Sequence, residues 1–308
     1  MSVDFWINVG VLAGIYGIFT LGLQLNAGFT GLLNFGQAGF MAIGAYSIGI
    51  LVVDHGWSLW LALPAAVLLA CLASVVVGIS SLRLRSDHFA IATIAFAEIV
   101  RYTLQNAAFS GGNQGILGFD DEWRAASGWM LSKLGAFGLG GYTQLPLLLV
   151  VWLSFVALLL ALQGLQRTGW GRVLRAIRED EDATAALGKN VLSYKLQSLG
   201  LAAALAAIAG FFVALNVTYL YPTVFDPTFT FFGYAILVLG GFASYGGVAI
   251  GSLVFWALLE GTRLIDASLS AGQQASLRFI IVGLFLLLLS RLRPQGLLGN
   301  VNEMKVRP

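Results

Sequence analysis

Apolar residues occur along the chain in runs of about 17–22 residues, and charged residues, glycine or proline separate one run from the next. A helix of roughly 20 apolar residues is long enough to cross the hydrocarbon core of a bilayer. Nine runs meet this description. They lie at about 5–25, 34–53, 59–80, 89–107, 145–164, 196–218, 230–245, 247–265 and 276–291. The pattern predicts an all-α polytopic membrane protein with eight to ten transmembrane helices, forming a single transmembrane domain over residues 1–308.

The stretch 22–40 departs from this pattern because glycines and four amide side chains interrupt it. The amides are Gln24, Asn26, Asn34 and Gln37. Non-helical backbone at membrane depth is tolerated only where protein buries it or where it lines a water-filled cavity. The stretch therefore predicts either a loop or an interrupted helix inside the membrane, and the sequence leaves both open.

Composition supports a membrane protein and argues against several other classes. Hydrophobic residues make up 58% of the chain and charged residues only 10%, whereas soluble domains carry about 25% charged residues. So few charges cannot cover a water-facing surface, which argues against a cytosolic enzyme, a nucleic-acid-binding protein and a disordered chain. A single cysteine, Cys71, and two histidines, His55 and His88, predict neither a disulfide framework within the chain nor a metal site.

The basic residues predict the orientation of the helices. Most of the 17 Lys and Arg fall in 81–88, 165–195 and the C-terminal tail, whereas only Arg124 and Lys133 fall in 108–144. The positive-inside rule then makes 165–195 a cytoplasmic loop, places the C-terminus in the cytoplasm, and makes 108–144 an extracytoplasmic loop. Nine spans would place the N-terminus outside. The first run lacks the basic segment of a signal peptide, so we expect it to be a retained span.

The cytoplasmic segment 165–195 begins with an amphipathic pattern. Apolar residues recur at i, i+3, i+4 and i+7 and form one stripe, while arginines occupy another face. The stripe consists of Trp170, Val173, Leu174 and Ile177, and the arginines are Arg172, Arg175 and Arg178.

The same segment continues with the pattern of a short capped helix at about 181–187. An acidic run at its start complements the helix dipole, and Gly188 just after its end suits a left-handed cap. The acidic residues are Glu179, Asp180, Glu181 and Asp182, and the helix carries Ala185, Ala186 and Leu187. A short helix with defined ends is typical of a segment that docks into another protein. The alternative is an interfacial loop that only joins two spans.

Four stretches together resemble a known family. The stretch Gly171–Gly188 resembles the cytoplasmic EAA-type coupling loop of ABC importer permeases. The stretches Gly31–Tyr46, Arg83–Arg101 and Ser110–Ile116 resemble three further motifs of the branched-chain amino acid permease family, in particular its LivM-type inner-membrane subunit. The resemblance extends in family order over roughly residues 20–265. It implies the ABC importer permease fold, with interrupted Gly-rich helices, in the bacterial cytoplasmic (inner) membrane.

The resemblance also implies a function and partners. Such a permease is one half of a channel that alternates access when two ABC ATPase subunits bind and hydrolyse ATP-Mg, and an extracytoplasmic substrate-binding protein delivers the substrate. A homologous second permease subunit would complete a heterodimer. The chain has no G-x-x-x-x-G-K-[ST] phosphate loop, so we expect no ATPase site and no cofactor in this chain. The residues expected to couple to the ATPases are Arg172, Arg175, Arg178, Glu179, Asp180, Glu181, Asp182, Ala185, Ala186, Leu187 and Gly188.

Polar residues inside the predicted spans are candidates for the translocation path. Glu98 and Arg101 are spaced i, i+3 and can pair. Charges at this depth are costly, so they either line the path or form an internal ion pair that holds two helices together. Asn34, Gly36 and Gln37 either line the path or serve close helix packing.

Three other regions carry predictions of their own. In the outer loop, Gly111, Gly112 and Asn113 could help receive the binding protein, or 108–144 could be interfacial, with Trp123 and Trp129 at headgroup depth. Near the end of the eighth run, Glu260, Arg263 and Asp266 are expected at the membrane interface. The glycine cluster 240–247 predicts a tight turn on the inner side.

Two alternatives to branched-chain amino acid import stay open. Urea or short amides are possible substrates within the same family. An ion-coupled secondary transporter, with Glu98 as its ion site, belongs to a different class. The segment 165–195 favours the ABC permease, because a secondary transporter does not need a docking helix. An intramembrane enzyme has no support from any catalytic constellation.

Overall fold

The computed structural model describes residues 3–84, 86–136, 138–262, 271–293 and 295–299. Helices dominate these residues, and a two-stranded antiparallel sheet pairs β1 (Ile116–Leu117) with β2 (Tyr219–Leu220). The helices are α1 Val3–Leu23, α2 Gln37–Val53, α3 Leu59–Ser81, α4 Ser86–Asn106, α5 Asp121–Gly135, α6 Leu145–Gln166, α7 Gly169–Glu179, α8 Glu181–Ala186, α9 Val191–Val217, α10 Pro227–Gly240, α11 Tyr245–Gly261 and α12 Ala271–Leu292. A π-helical segment, Gln24–Thr30, extends α1, and short 3₁₀ turns lie at Ala108–Ser110, Gly112–Gln114 and Pro222–Phe225.

The predicted all-α polytopic membrane fold is confirmed. Each of the nine predicted spans corresponds to a helix, namely α1, α2, α3, α4, α6, α9, α10, α11 and α12. Five helical segments are long and apolar enough to cross a membrane by length and composition: Val3–Thr30, Leu59–Ser81, Leu145–Gln166, Val191–Val217 and Pro222–Gly240. Shorter apolar helices accompany them.

Helices α1 and α9 form the centre of the molecule. Each is apolar around its whole circumference and mostly buried, as expected for a helix surrounded by other helices. Helix α1 packs against α6, α9, α10 and α11, and α2 packs along α9 and α3. Glycine permits the close approach of α2 and α9, because a Cβ placed on Gly44 would overlap the backbone of Ala207. Helices α3, α6 and α12 instead expose many apolar side chains at the periphery.

The ambiguous stretch 22–40 is an interrupted helix. The π-helical segment ends at Gly31, whose φ of 76° is left-handed. Helix α2 starts only at Gln37. The glycine cluster forms the predicted turn, since α10 ends at Gly240 and α11 begins at Tyr245.

Residues predicted at the membrane interface differ in their exposure, and some of them lie outside the described residues. Trp123 is buried at 7% exposure, whereas Trp129 is 65% exposed, so only Trp129 is available to a headgroup region. Glu260 is also buried and lies 3.7 Å from Arg278 of α12, so its carboxylate faces a neighbouring helix. Arg263, Asp266 and the C-terminal tail from residue 300 lie outside the described residues.

The tight contact between α2 and α9 makes Gly44 sensitive to added bulk. We expect Gly44→Leu to destabilise the chain by about 1–3 kcal/mol, because the new side chain must push α9 away. The melting temperature of the purified protein in detergent measures this effect. Gly164→Leu is the matched control, since a Cβ at Gly164 on α6 would meet no atom within 4 Å. Equal melting temperatures for the two variants would contradict the contact.

Candidate functional site

Three of the predicted path residues form one buried cluster at the start of α2. The Asn34 side-chain amide donates to Gln37 Oε1 at 2.9 Å. The Gly36 N–H donates to Asn34 Oδ1 at 3.0 Å. Gln37 Nε2 donates to the backbone carbonyl of Ala202 on α9 at 2.9 Å. This amide cluster, comprising Asn34, Gly36 and Gln37, therefore ties the start of α2 to the middle of α9.

The amide cluster lies inside the helical bundle rather than at its end. Phe35 N–H donates to Thr93 Oγ1 at 3.1 Å, and Thr93 and Ala202 lie well inside α4 and α9. At about 1.5 Å per residue, Thr93 is about 10 Å from the start of its helix and Ala202 about 16 Å. Helix α2 thus begins beside the interior of α4 and α9 and not beside their ends.

A second helix start meets the start of α2. The backbone N–H of Ala38 donates to Thr230 Oγ1 on α10 at 3.2 Å, and the Tyr234 hydroxyl donates to the Asn34 carbonyl at 3.1 Å. The rings of Phe35 and Tyr234 stack with centroids 4.5 Å apart. Two helix N-termini inside a membrane, beside polar side chains, are the arrangement that transporters use at substrate sites.

The π-helical segment 24–30 connects the break to three neighbours. The Ser198 hydroxyl on α9 donates to Asn26 Oδ1 at 3.0 Å, and the hydroxyl oxygens of Ser198 and Thr30 lie 2.7 Å apart. With its oxygen facing the turn before α11, the Gln24 amide accepts from the N–H groups at 243 and 244, at 2.6 and 2.5 Å. Arg178 of α7 donates to the Gly28 carbonyl. Such π-helical segments are frequent at functional sites.

Helix α7 is amphipathic, as predicted. Leu174 and Ile177 are buried, whereas Arg172 and Arg175 are exposed. Arg178 differs from the other two arginines, because it faces the Gly28 carbonyl. Trp170 Nε1 donates to Gln197 Oε1 on α9 at 2.8 Å. Apolar packing and these two hydrogen bonds hold α7 on the bundle.

The predicted short helix is present as α8. The Asp180 carboxylate caps it by accepting from the Ala183 N–H at 2.9 Å, and Gly188 follows its end with a left-handed φ of 80°. Lys195 of α9 forms an ion pair with Glu181. Glu179, Asp182, Ala185 and Ala186 are exposed, and Leu187 just after the helix is 81% exposed. The bundle thus holds one end of α8, and the other end presents a small apolar tip made of Ala185, Ala186 and Leu187.

Glu98 and Arg101 form the predicted ion pair on α4. Their side chains approach to 2.6 Å, and 26% of Glu98 and 15% of Arg101 remain exposed. The Arg101 guanidinium also lies 4.4 Å from the centre of the Tyr102 ring. The pair lies within one helix and does not bridge two. Among the described residues, no hydrogen bond or ion pair connects it with the amide cluster.

The outer-loop residues Gly111, Gly112 and Asn113 lie at the opposite end of α9 from α8. Both glycines have left-handed φ values, 71° and 55°, and a Cβ on Gly111 would overlap the Gly115 carbonyl. Asn113 is exposed. The Tyr219 hydroxyl, just after α9, donates to the Gln114 carbonyl at 2.7 Å. The loop is therefore a fixed turn on the face away from α7 and α8.

Sequence reasoning missed several residues that complete these contacts. Thr93, Ser198, Thr230 and Tyr234 lie in mostly apolar segments, and nothing in their spacing distinguishes them. In the sequence, Lys195 stands out only as one of the basic residues of the segment 165–195. Its distance of 14 positions from Glu181 gives no sign of the ion pair.

Nearly the whole chain is similar to known proteins. Residues 5–290 match the family described as "Branched-chain amino acid transport system / permease component". The high-affinity branched-chain amino acid transport system permease protein LivM of Escherichia coli is 34% identical, over 95% of this chain and 69% of the relative. A probable LivM of Methanocaldococcus jannaschii is 26% identical, over 97% and 94%. The permease protein LivH of Escherichia coli is 24% identical, over 97% and 96%.

No solved structure matches the chain significantly. The family match spans nearly the whole chain, and the helices form the polytopic bundle that a membrane permease requires. The chain is therefore a multi-pass inner-membrane transport component, and it belongs to the permease family of branched-chain amino acid ABC transport systems.

Proposed function

We propose that the chain is the transmembrane permease subunit of an ATP-driven importer for branched-chain or related amino acids. The observation that carries the proposal is α8, an exposed capped helix whose neighbours connect it to the helix break inside the membrane. The names of the relatives support the substrate class. A substrate-binding protein would deliver the amino acid to the face that carries Gly111, Gly112 and Asn113.

The proposal includes several partners. Two ABC ATPase subunits would bind ATP-Mg and dock on α8. A homologous permease subunit would complete the channel as a heterodimer, which the similarity to both LivM and LivH proteins supports. Membrane lipid would cover the exposed apolar faces of α3, α6 and α12. Neither a nucleic acid nor a cofactor bound by this chain is part of the function.

The coupling step would begin at the apolar tip of α8. Ala185, Ala186 and Leu187 are exposed, and small enough to enter a cleft on the ATPase. The Asp180 cap and Gly188 give the helix a defined start and end, so it can move as a rigid body. Lys195 would pass that motion to α9, because it contacts α8 from α9. Arg178 would pass it to the π-helical segment, because it contacts the Gly28 carbonyl.

The motion would reach the path along α9 and the π-helical segment. Ser198 binds Asn26, and Ala202, one helical turn further, accepts from Gln37. A shift of α9 against the π-helical segment must therefore strain or rearrange the amide cluster. The starts of α2 and α10 would then open or close together, because Ala38 and Asn34 bond to α10. These contacts form a continuous physical connection between α8 and the amide cluster.

Other small substrates are an alternative within the same architecture. Urea or short amides could meet the amide cluster, and selectivity can lie in the separate binding protein. An ion-coupled transporter would instead need Glu98 as an ion site. The Glu98–Arg101 ion pair on α4 disfavours that role, because Arg101 already neutralises the carboxylate.

Two substitutions in the cytoplasmic segment test the coupling role. We expect Ala186→Trp to block seating of α8, and Gly188→Val to strain its left-handed cap by roughly 1 kcal/mol or more. Both should lower ATPase recruitment and ATP-driven uptake in proteoliposomes without changing membrane insertion. Ala125→Trp on α5 and Gly56→Val are matched controls, since Ala125 is exposed on the outer loop and Gly56 has a left-handed φ of 65° with open space around it. If the Ala186 and Gly188 variants assemble and transport as the wild type does, the loop is only a connector.

The energy source distinguishes the two transporter classes. The purified chain should hydrolyse no ATP, because it has no phosphate loop. Reconstituted with its ATPases, permease partner and binding protein, it should import leucine only with ATP, and ionophores that collapse ion gradients should not reduce uptake. Uptake that requires an ion gradient and proceeds without ATP would overturn the proposal.

Substitutions of Glu98 and Arg101 test whether their ion pair stabilises the structure. Glu98→Ala should reduce folded yield and uptake more than the double change Glu98→Leu with Arg101→Leu, because the single change leaves Arg101 partly buried without its carboxylate. A double-mutant cycle on the assembled complex measures the interaction. A cycle with no interaction energy would show that the two side chains do not stabilise each other.

A further inference from the structure

A cavity of about 310 Å³ opens at the same end of the bundle as the cytoplasmic segment, where α6 ends and α11 begins. Its polar lining comes from the end of α6, from α7 and from the turn before α11. The lining includes Gln163, Gln166, Arg167 and Arg175, together with residues 243–246 and Phe29 of the π-helical segment. None of the residues that line it is acidic.

The two arginines of this cavity lack carboxylate partners within the described part of the chain. Arg175 donates only to the backbone carbonyl of Gln166, at 3.5 Å. Arg101 and Arg124, by contrast, each hold a carboxylate within 2.8 Å. The Gln163 amide also has no hydrogen-bond partner in the described ranges. The cavity thus contains two positive charges and a spare amide that an anion could satisfy.

The first turn of α11 adds to this positive potential. Ser244 caps the helix by accepting from the Gly247 N–H at 3.1 Å, and Tyr245 and Gly246 line the cavity. The helix has 17 residues, and the positive end of a helix dipole attracts anions. Arginine forks match phosphate oxygens in a bidentate way that a lysine ammonium cannot.

Apolar stripes run from the cavity along both flanking helices. On α6, Leu153 and Leu160 are 73% and 59% exposed, and they share a face with Arg167 at spacings of seven. On α11, Ile250 and Leu253 are exposed and follow Gly246 at spacings of four and seven. Both helices pack on α1 around Gly17. A Cβ at Gly17 would lie within 3.4 Å of Phe155 on α6 and of Ser252 on α11. Two acyl chains could therefore cover these stripes while a headgroup filled the cavity.

We propose that this cavity binds the phosphate of an anionic phospholipid, with its acyl chains along α6 and α11. The site is independent of the amide cluster and of the apolar tip of α8. A free phosphate ion would satisfy the arginines but would leave the two apolar stripes uncovered. A protein partner would have to insert an acidic side chain into a concave site at the edge of the lipid-facing surface.

The test measures lipid binding to the full chain in detergent by native mass spectrometry, with phosphatidylglycerol and phosphatidylcholine as probes. The double variant Arg167→Gln with Arg175→Gln should bind phosphatidylglycerol about tenfold or more weakly than the wild type, since each arginine near an anionic headgroup contributes to binding. Arg172→Gln should bind within about twofold of the wild type, because Arg172 is equally exposed on α7 but does not line the cavity. Binding of phosphatidylcholine should be weak and equal in all of them.

If the double variant folds poorly, the single variant Arg167→Gln replaces it in the test. Arg167 is exposed, so we expect this single change to leave folding intact. It should also weaken phosphatidylglycerol binding more than Arg172→Gln does. Equal binding by the wild type and the Arg167 variant would overturn the proposal. Displacement of phosphatidylglycerol by inorganic phosphate at equal concentration would also overturn it, since the site would then hold only the anion. Loss of ATPase-subunit binding with unchanged lipid binding would assign the surface to a protein partner instead.

Discussion

The break between α1 and α2 imposes the constraint on which the rest of the structure depends. Lipid offers no hydrogen-bond partners, so the protein itself must satisfy every backbone and amide group freed at membrane depth. Ser198, Ala202 and Thr93 supply partners from α9 and α4, and Arg178 supplies one from outside the bundle, whereas Asn26 Nδ2 is buried without a partner among the described residues. The polar contacts that stabilise the break therefore also connect it to its neighbours.

This constraint explains why the cytoplasmic segment is more than a connector in the proposed mechanism. Arg178 satisfies the Gly28 carbonyl, so α7 cannot move without breaking or carrying that contact. Lys195 joins α8 to α9 in the same way. Two short helices, each held by one charged contact, transmit displacement, whereas a solvated loop would absorb it. The arginines that take no part in these contacts are available to a different ligand at the membrane surface.

Some contacts of the candidate site can be predicted from the sequence and others cannot, and the reasons are physical. The spacing of Glu98 and Arg101 on one helix specifies their pairing, because residues three apart are neighbours on a helix surface. The start and stop of α8 follow from its acidic cap and from Gly188 for the same local reason. Gln37 and Ala202 are 165 positions apart, and no local rule relates them. Trp123 and Glu260 are both buried, and the contact of Glu260 with Arg278 of α12 is one that no local spacing indicates.

The sequence by itself determined where the membrane helices lie, where the polar segments interrupt them and where the short cytoplasmic helix begins and ends. Capping residues and glycine act within one or two helical turns, and hydrophobic run length is a property of one continuous segment, so all three can be recognised without the fold. The tertiary structure alone decided that the starts of α2 and α10 meet and that Arg178 reaches the π-helical segment. It also decided that Arg167 and Arg175 share a cavity with the start of α11. These are contacts between separate helices, and helix packing, not sequence spacing, sets which of their faces meet.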